Sequence, residues 1–223
     1  VAFSYLSSAA PAKALARELD TDEAPVVAKR ADVSVDAQAR DLVRSVERKF
    51  GRLDLLVNNA SYSRPALWNA KLADIPAAEM VRAFEVDVVG AFNATRAAAP
   101  GMRKRKYGRV VNFASAGAMG GDYTLLAYNP AKMGVVGLTR SMATLLAPDG
   151  ITVNAVAPGS IDTGWLKAWS LTPREMEETL REIPAGRIGT AGEAVEAVLF
   201  LLSDRASFVT GQTLRVDGGV NLG

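Results

Sequence analysis

The sequence predicts an α/β fold, a parallel β-sheet covered by helices on both faces in three α/β/α layers. Two observations carry this. Short runs of β-branched and aliphatic residues alternate with amphipathic stretches of helical length, the pattern of strands joined by crossover helices. The 223 residues are 49% hydrophobic and 22% charged, enough apolar surface for one core, and the length suits a single α/β domain over 1–223 better than two.

Val1–Tyr5 reads as a strand, and Ala9–Leu19 as a helix that is apolar at Leu15 and Leu19. Ala24–Lys29 is the second strand and runs into Arg30-Ala31-Asp32-Val33. Asp36–Phe50 is helical and stops at Gly51, and Leu53–Val57 is a strand leading to Asn58-Asn59-Ala60-Ser61. One long helix is predicted over Ala77–Arg105. Its basic end, Arg103-Lys104-Arg105-Lys106, reads as a solvated terminus whose cations complement the helix dipole. Arg109–Phe113 is a strand ending at Ala114-Ser115, and Ala127–Leu146 is a helix closed by Pro148-Asp149-Gly150. Thr152–Val156 is a strand before Ala157-Pro158-Gly159, Glu193–Leu202 a helix, and Thr213–Val216 the last strand. Residues 164–184, with Trp165, Trp169 and many charges between a strand and a helix, read as a mobile substrate lid.

Composition excludes several chemistries. There is no cysteine and no histidine. That removes thiolate nucleophiles, disulfides, His-assisted serine hydrolysis and Cys or His metal sites, and no metal is expected. Acid–base work falls to Tyr, Lys, Asp, Glu or water. A net charge of +2 is too small to suggest a nucleic-acid partner. No apolar run has the length of a membrane span and no signal peptide is visible, so the expected location is the cytoplasm.

Tyr128-Asn129-Pro130-Ala131-Lys132 sets a phenol and an ammonium one helical turn apart on one face. A free phenol has a pKa of about 10, and a neighbouring cation favours its ionised form. The pair is thus a histidine-free way to move a proton onto a carbonyl oxygen, although most such pairs lie on surfaces. Pro130 belongs in the first helical turn, where proline is tolerated. Ser115 stands at the C-terminal end of an apolar strand, where parallel sheets form their ligand crevice. Its hydroxyl suits an oxygen on which charge develops, or merely caps a turn.

With these come Asp32-Val33, Asn58-Asn59-Ala60, Asn154 to Pro158-Gly159, Ile161-Asp162-Thr163 and Asp217-Gly218-Gly219, in one order along nearly the whole chain. In this set the sequence resembles the short-chain dehydrogenase/reductase family, in its compact single-domain branch. The resemblance implies a Rossmann-like doubly wound sheet and a nicotinamide-dependent oxidoreductase acting on CH–OH/C=O groups. It implies that Tyr128 is the general acid in reduction and the base in oxidation. Lys132 would hold the nicotinamide ribose and depress the Tyr128 pKa, and Ser115 would position the substrate carbonyl. Asp32, with Val33 beside it, would contact the adenine; Asn58, Asn59 and Ala60 would lie along the cofactor. Pro158, Gly159, Ile161 and Thr163 would flank the nicotinamide end. The stretch Phe3 to Ser8 carries no acid to bind a ribose 2′-hydroxyl. NADP(H) is therefore favoured over NAD(H), with Ser7 as a contact; alternatively Ser7 and Ser8 only cap the next helix.

Three departures from the family pattern stand out. No glycine-rich strand–turn–helix precedes the other motifs, and the chain begins at what should be the second strand, without the usual first one. Gly117, Gly120 and Gly121 follow Ser115 but are expected to form a loop. The first strand is central in this fold, so its absence would part the second strand from the fourth and leave backbone edges unpaired. The expectation is that the sequence is truncated relative to the working enzyme, which an intact mass equal to these 223 residues contradicts. Second, Asp87 stands where relatives usually carry a catalytic Asn in a water-mediated relay. A carboxylate there attracts Lys132 and is expected to raise its pKa. Asp87→Asn is expected to preserve or raise reductase turnover. Third, Ser61 replaces the Gly that usually ends Asn-Asn-Ala-Gly, and either crowds the site or pairs with a loop.

The leading expectation is interconversion of a ketone and a secondary alcohol with NADP(H), Tyr128 handling the proton. Enoyl reduction is the second enzyme reading, but enoyl reductases of this family space Tyr and Lys more widely, and seven residues before Lys132 stands Leu125. A non-redox role as cyclase, epimerase or binding protein is a different class, since fold does not fix function. Candidate substrate-pocket residues are Met119, Tyr123, Trp165 and Trp169, which read equally as lid packing. The resemblance implies a homodimer or homotetramer through the two long helices and the C-terminal segment.

Overall fold

A computed structural model describes residues 1–121, 125–164 and 171–220. In order these form β1 (Ala2–Tyr5), α1 (Ala9–Leu19), β2 (Val27–Arg30), α2 (Asp36–Phe50), β3 (Leu55–Asn58), α3 (Ala77–Phe84) and α4 (Gly90–Arg105). There follow β4 (Gly108–Phe113), α5 (Ala116–Gly120), α6 (Asn129–Leu146), β5 (Ile151–Pro158) and β6 (Ile161–Asp162). The chain continues through α7 (Pro173–Glu182), β7 (Gly189–Thr190), α8 (Ala191–Leu202) and β8 (Thr213–Val216).

The main sheet is parallel, in the order β3-β4-β5-β8. Its central strands are buried along almost their whole length, which is why GRVVNF and ITVNAVAP read as continuous rather than alternating apolar runs. On one face Met102, Val110, Met142, Leu146, Ile151 and Val153 form the largest core cluster, with Val43 reaching in from α2. Val111 and Val156 meet Val198 and Leu201 of α8 on the other.

β1 and β2 pair only with each other, in a separate parallel ladder. Among the described residues β1 and β3 share no ladder. Leu55 and Val57 on β3 are 48% and 41% exposed. The β2–α2 connection is nevertheless clamped to α3 and α4. Arg82 reaches Asp32 at 3.1 Å, the Asn93 side-chain amide donates to the carbonyl of Val33 at 3.1 Å, and Arg96 pairs with Asp36. A Cβ at Gly90 would come within 2.7 Å of Val33, so this contact requires glycine.

Several boundaries move by one to three residues, as helix and strand ends do. Two differences are physical. The predicted single helix over 77–105 is interrupted at Glu85–Val89 by a π turn, an added residue inside the helical ladder. The glycine cluster expected as a loop contains the short helix α5, closed by Gly121 at φ 76°. The basic end of α4 is not simply solvated: Arg103 and Lys106 both pair with Asp149, and Arg105 with Asp54. Within the predicted lid, α7 begins with a Thr172–Glu175 capping box and buries no side chain. Tyr123, Trp165 and Trp169 lie outside the described residues.

Candidate active site

Because the ladders are parallel, the C-terminal ends of β3, β4, β5 and β8 open on one side of the sheet. Asn58, Ser115, Pro158-Gly159 and Asp217 therefore gather along one crevice. Ser115 follows β4 as the N-cap of α5, yet its side chain makes no capping bond. The hydroxyl is instead hydrogen-bonded to the Tyr128 phenol, which argues against a serine that only caps a turn. Tyr128 is the N-cap of α6, with Pro130 in the first turn. The Lys132 backbone N–H donates to the Tyr128 carbonyl at 3.1 Å. One turn on, the Lys132 ammonium lies 5.3 Å from the centre of the Tyr128 ring.

Lys132 is buried and donates to the Phe113 carbonyl at 2.9 Å. It also forms an ion pair with Asp87 Oδ1 at 2.8 Å, both side chains almost wholly inaccessible. The π turn brings Asp87 there. A Cβ at Gly134 would meet Val88 at 2.9 Å and Phe84 at 3.0 Å. Glycine thus lets α6 approach the turn closely enough for Lys132 to reach the carboxylate. Ser61 Oγ donates to Asp87 Oδ1 at 2.7 Å and the Tyr62 N–H to Oδ2 at 2.8 Å. Ser61 thus neither crowds the site nor pairs with a loop; it completes the solvation of Asp87.

This arrangement corrects two electrostatic expectations. Burial, then the charge of Asp87, push the Tyr128 phenol up, and the Ser115 hydrogen bond works the other way. The net direction is upward, against the expected depression. Burial also pulls the Lys132 ammonium down, outweighing the upward pull of Asp87. The expected net rise for Lys132 is reversed because a fully enclosed cation loses more hydration than one carboxylate restores.

Other expected contacts divide into two groups. Asn59 and Ala60 are exposed after β3, Ser7 is exposed after β1, Pro158 ends β5, and Gly159, Ile161 and Thr163 follow it at the crevice, with Ile161 paired to Gly189 in the β6–β7 ladder. The Asn58 side chain, by contrast, is committed to structure. It donates to Asn112 at 2.8 Å and Thr95 at 3.1 Å, and Asn112 donates in turn to Thr139. Asp32 likewise accepts from Ser34 and Arg82 and anchors its loop, while Val33 packs on Gly90. Met119 packs against the cluster of Ala114, Val135 and Ala155. The shallow depression beside Tyr128 is lined instead by Tyr62, Arg64, Leu67, Trp68 and Leu125.

One polar group escaped sequence reasoning. Arg30 at the end of β2 donates through Nε to the Leu6 carbonyl at 3.1 Å, which sets its cation beside Ser7. The absence of an acid after β1 drew attention to the hydroxyls, and the cation came from the neighbouring strand. Ser8 is the N-cap of α1 but makes no capping bond. The residues near Tyr128 fit the nicotinamide and ribose end of a dinucleotide. The turn after β1, Leu6-Ser7-Ser8, has no glycine and is not a pyrophosphate cradle. Among the described residues no metal-binding cluster is present, and no helix is long and apolar enough to cross a membrane.

Comparison with known proteins agrees with this geometry. A family model described as enoyl-(acyl carrier protein) reductase matches residues 1–221. A 3-oxoacyl-(acyl-carrier-protein) reductase of Staphylococcus aureus is 35% identical over 220 residues, 99% of this chain and 87% of that protein. A 2-(S)-hydroxypropyl-CoM dehydrogenase of Xanthobacter autotrophicus is 40% identical over 194 residues, covering 85% of this chain and 74% of that one. Among solved structures, a gluconate 5-dehydrogenase of Burkholderia cenocepacia in complex with NADP and tartrate superposes with a TM-score of 0.89 at 30% identity, over 98% of this chain and 84% of that one. The chain therefore belongs to the short-chain dehydrogenase/reductase family and is an oxidoreductase of the CH–OH/C=O class.

Proposed function

We propose that this protein is an NADP(H)-dependent ketoreductase that interconverts a ketone and a secondary alcohol, with Tyr128 as the proton donor and acceptor. The observation that carries this is the convergence of the Tyr128 phenol, the Ser115 hydroxyl and the Lys132 ammonium at the C-terminal end of β4. A bound nicotinamide supplies or accepts the hydride. Ser115 holds the carbonyl oxygen, and Tyr128 gives it a proton as negative charge develops there. Two hydrogen bonds fix Lys132, leaving a third N–H for the cofactor ribose.

NADP(H) is favoured over NAD(H) because Arg30 stands beside Ser7, where no acid repels a 2′-phosphate. The relative crystallised with NADP supports the same choice. The apolar walls of the depression at Tyr128, Leu67, Trp68 and Leu125, suit an acyl or alkyl substituent. Leu125 is buried in that wall seven residues before Lys132, where the wider Tyr–Lys spacing of enoyl reductases would need a tyrosine. The described part of 164–184 is proposed to cover the substrate. Val89 and Phe92 on one long helix, and Met133 and Leu145 on the other, are exposed, which supports a homo-oligomer. A cytoplasmic location is proposed with it.

The test is NADPH consumption with a panel of 3-oxoacyl thioesters and simple ketones, repeated with NADH. Ketone-dependent loss of NADPH at a higher kcat/KM than with NADH is expected. NADPH binding without turnover on any ketone contradicts the proposal and favours a non-redox role.

A further inference from the structure

Asp87 and Ser61 both depart from the pattern the resemblance implies, and they meet. Ser61 Oγ donates to Asp87 Oδ1 at 2.7 Å, and the same oxygen receives Lys132 at 2.8 Å. The Tyr62 N–H occupies Oδ2 at 2.8 Å. Three donors thus converge on an acceptor-only group, an arrangement that suits a carboxylate and orients it toward the ammonium. The same ammonium lies 5.3 Å from the Tyr128 ring. With an Asn at 87, the charge that Lys132 retains would act on the phenol with no opposing anion.

We propose that Ser61 and Asp87 form a coupled pair that biases this site toward carbonyl reduction, by committing the charge of Lys132 to a buried carboxylate instead of to the Tyr128 phenol. The proposal rests on Tyr128 being the proton-handling group. In reduction the phenol O–H breaks and its proton joins the carbonyl oxygen, while a hydride from the reduced cofactor joins the carbon. In oxidation a phenolate removes the alcohol O–H proton as the C–H hydride leaves to the oxidised cofactor. A site that keeps the phenol protonated is ready for the first and needs alkaline solution for the second. Ser61 and Asp87 do not touch the reacting atoms; they are positioning residues acting through Lys132.

The charged and titratable groups around this pair are few. Lys132 and Tyr128 face it from α6, and the uncharged Ser115 from the end of β4. From the segment after β3 come Tyr62, whose phenol is tied to Glu79 of α3 at 2.9 Å, and Arg64, which pairs with Glu79 at 3.0 Å. Arg82 of α3 is engaged by Asp32 and Glu85. Glu79, Arg64 and Arg82 thus have partners of their own, and Asp87 is the anion in direct contact with Lys132.

The experiment compares wild type with Asp87→Asn, Ser61→Gly and Ser61→Thr, following kcat/KM for alcohol oxidation against pH. The rise toward alkaline pH should move down by about one unit or more in Asp87→Asn and by a smaller amount in Ser61→Gly, and stay at the wild-type value in Ser61→Thr, which keeps the hydroxyl. Reduction at neutral pH should stay within about tenfold of wild type in Asp87→Asn. A second readout does not require turnover: the phenolate absorbance of each variant, minus that of the same variant carrying Tyr128→Phe, titrates Tyr128 alone. It should ionise at lower pH in Asp87→Asn than in wild type. An unchanged phenolate titration in both Asp87→Asn and Ser61→Gly overturns the proposal. A shifted titration without turnover on any ketone upholds the coupling and instead counts against the ketoreductase reading.

Discussion

The two ends of the sheet are built differently. β4 and β5 are buried on both faces and carry Ser115 and the Pro158-Gly159 turn at their ends. β1 and β2 form a half-buried pair whose ladder does not join the rest. The Ser115–Tyr128–Lys132 group sits on the first region, held by Met102, Val110 and Val153 below and by the Thr95–Asn58–Asn112–Thr139 network beside it. The turns after β1 and β2, proposed to face the nucleotide, sit on the second, attached through side chains of α3 and α4. Among the described residues, the Ser115–Tyr128–Lys132 group rests on packing, and the β1–β2 pair is held by side-chain clamps to α3 and α4.

The largest effect expected is at the ion pair. Lys132→Met leaves Asp87 buried without a counter-charge and should lower unfolding free energy by about 3–5 kcal/mol in urea titrations. The packed half should also respond to truncation where the other does not. Met102→Ala, at a wholly buried position, should cost about 2–5 kcal/mol, whereas Leu15→Ala on α1, already 44% exposed, should stay within about 0.5 kcal/mol. Equal costs would erase the contrast. On the clamped side, Arg30→Ala should weaken NADPH binding about tenfold, roughly 1.4 kcal/mol, and leave NADH unchanged; equal loss for both cofactors would remove Arg30 from the 2′-phosphate. The smallest effect concerns pH. The Tyr128 phenol is raised in the folded state, first by burial and then by Asp87. Its contribution to stability is therefore complete below the unfolded-state value of about 10 and is lost as pH rises above it. Tyr128→Phe should flatten the alkaline fall in stability; an unaltered fall assigns it to other groups.

Much of this was legible in the sequence. The parallel strands were readable because β4 and β5 are uninterrupted apolar runs; Ser115, Tyr128 and Lys132 were readable through their order among the other family-like motifs, since the one-turn spacing alone fits a surface pair equally well. Other features depend on contacts between distant segments. The π turn has no signature in Glu85–Val89, because what it achieves is the meeting of Asp87 with Lys132 on another helix. Nothing in Asn58 shows that its amide is taken by Thr95 and Asn112, and nothing in Arg30 alone shows that it folds back to Leu6. The upward push on Tyr128 was misread because the Tyr–Lys spacing shows an attraction but not the burial and second carboxylate that oppose it.

The most direct test is a single-turnover experiment, in which protein with saturating NADPH is mixed with a 3-oxoacyl thioester at neutral pH and the loss of NADPH absorbance is followed in wild type and Tyr128→Phe. Removing the proton donor should slow the wild-type rate by a factor of about 10² to 10⁴ while leaving NADPH affinity within about threefold. Equal rates in the two proteins would contradict the assignment of Tyr128 as the group that protonates the carbonyl.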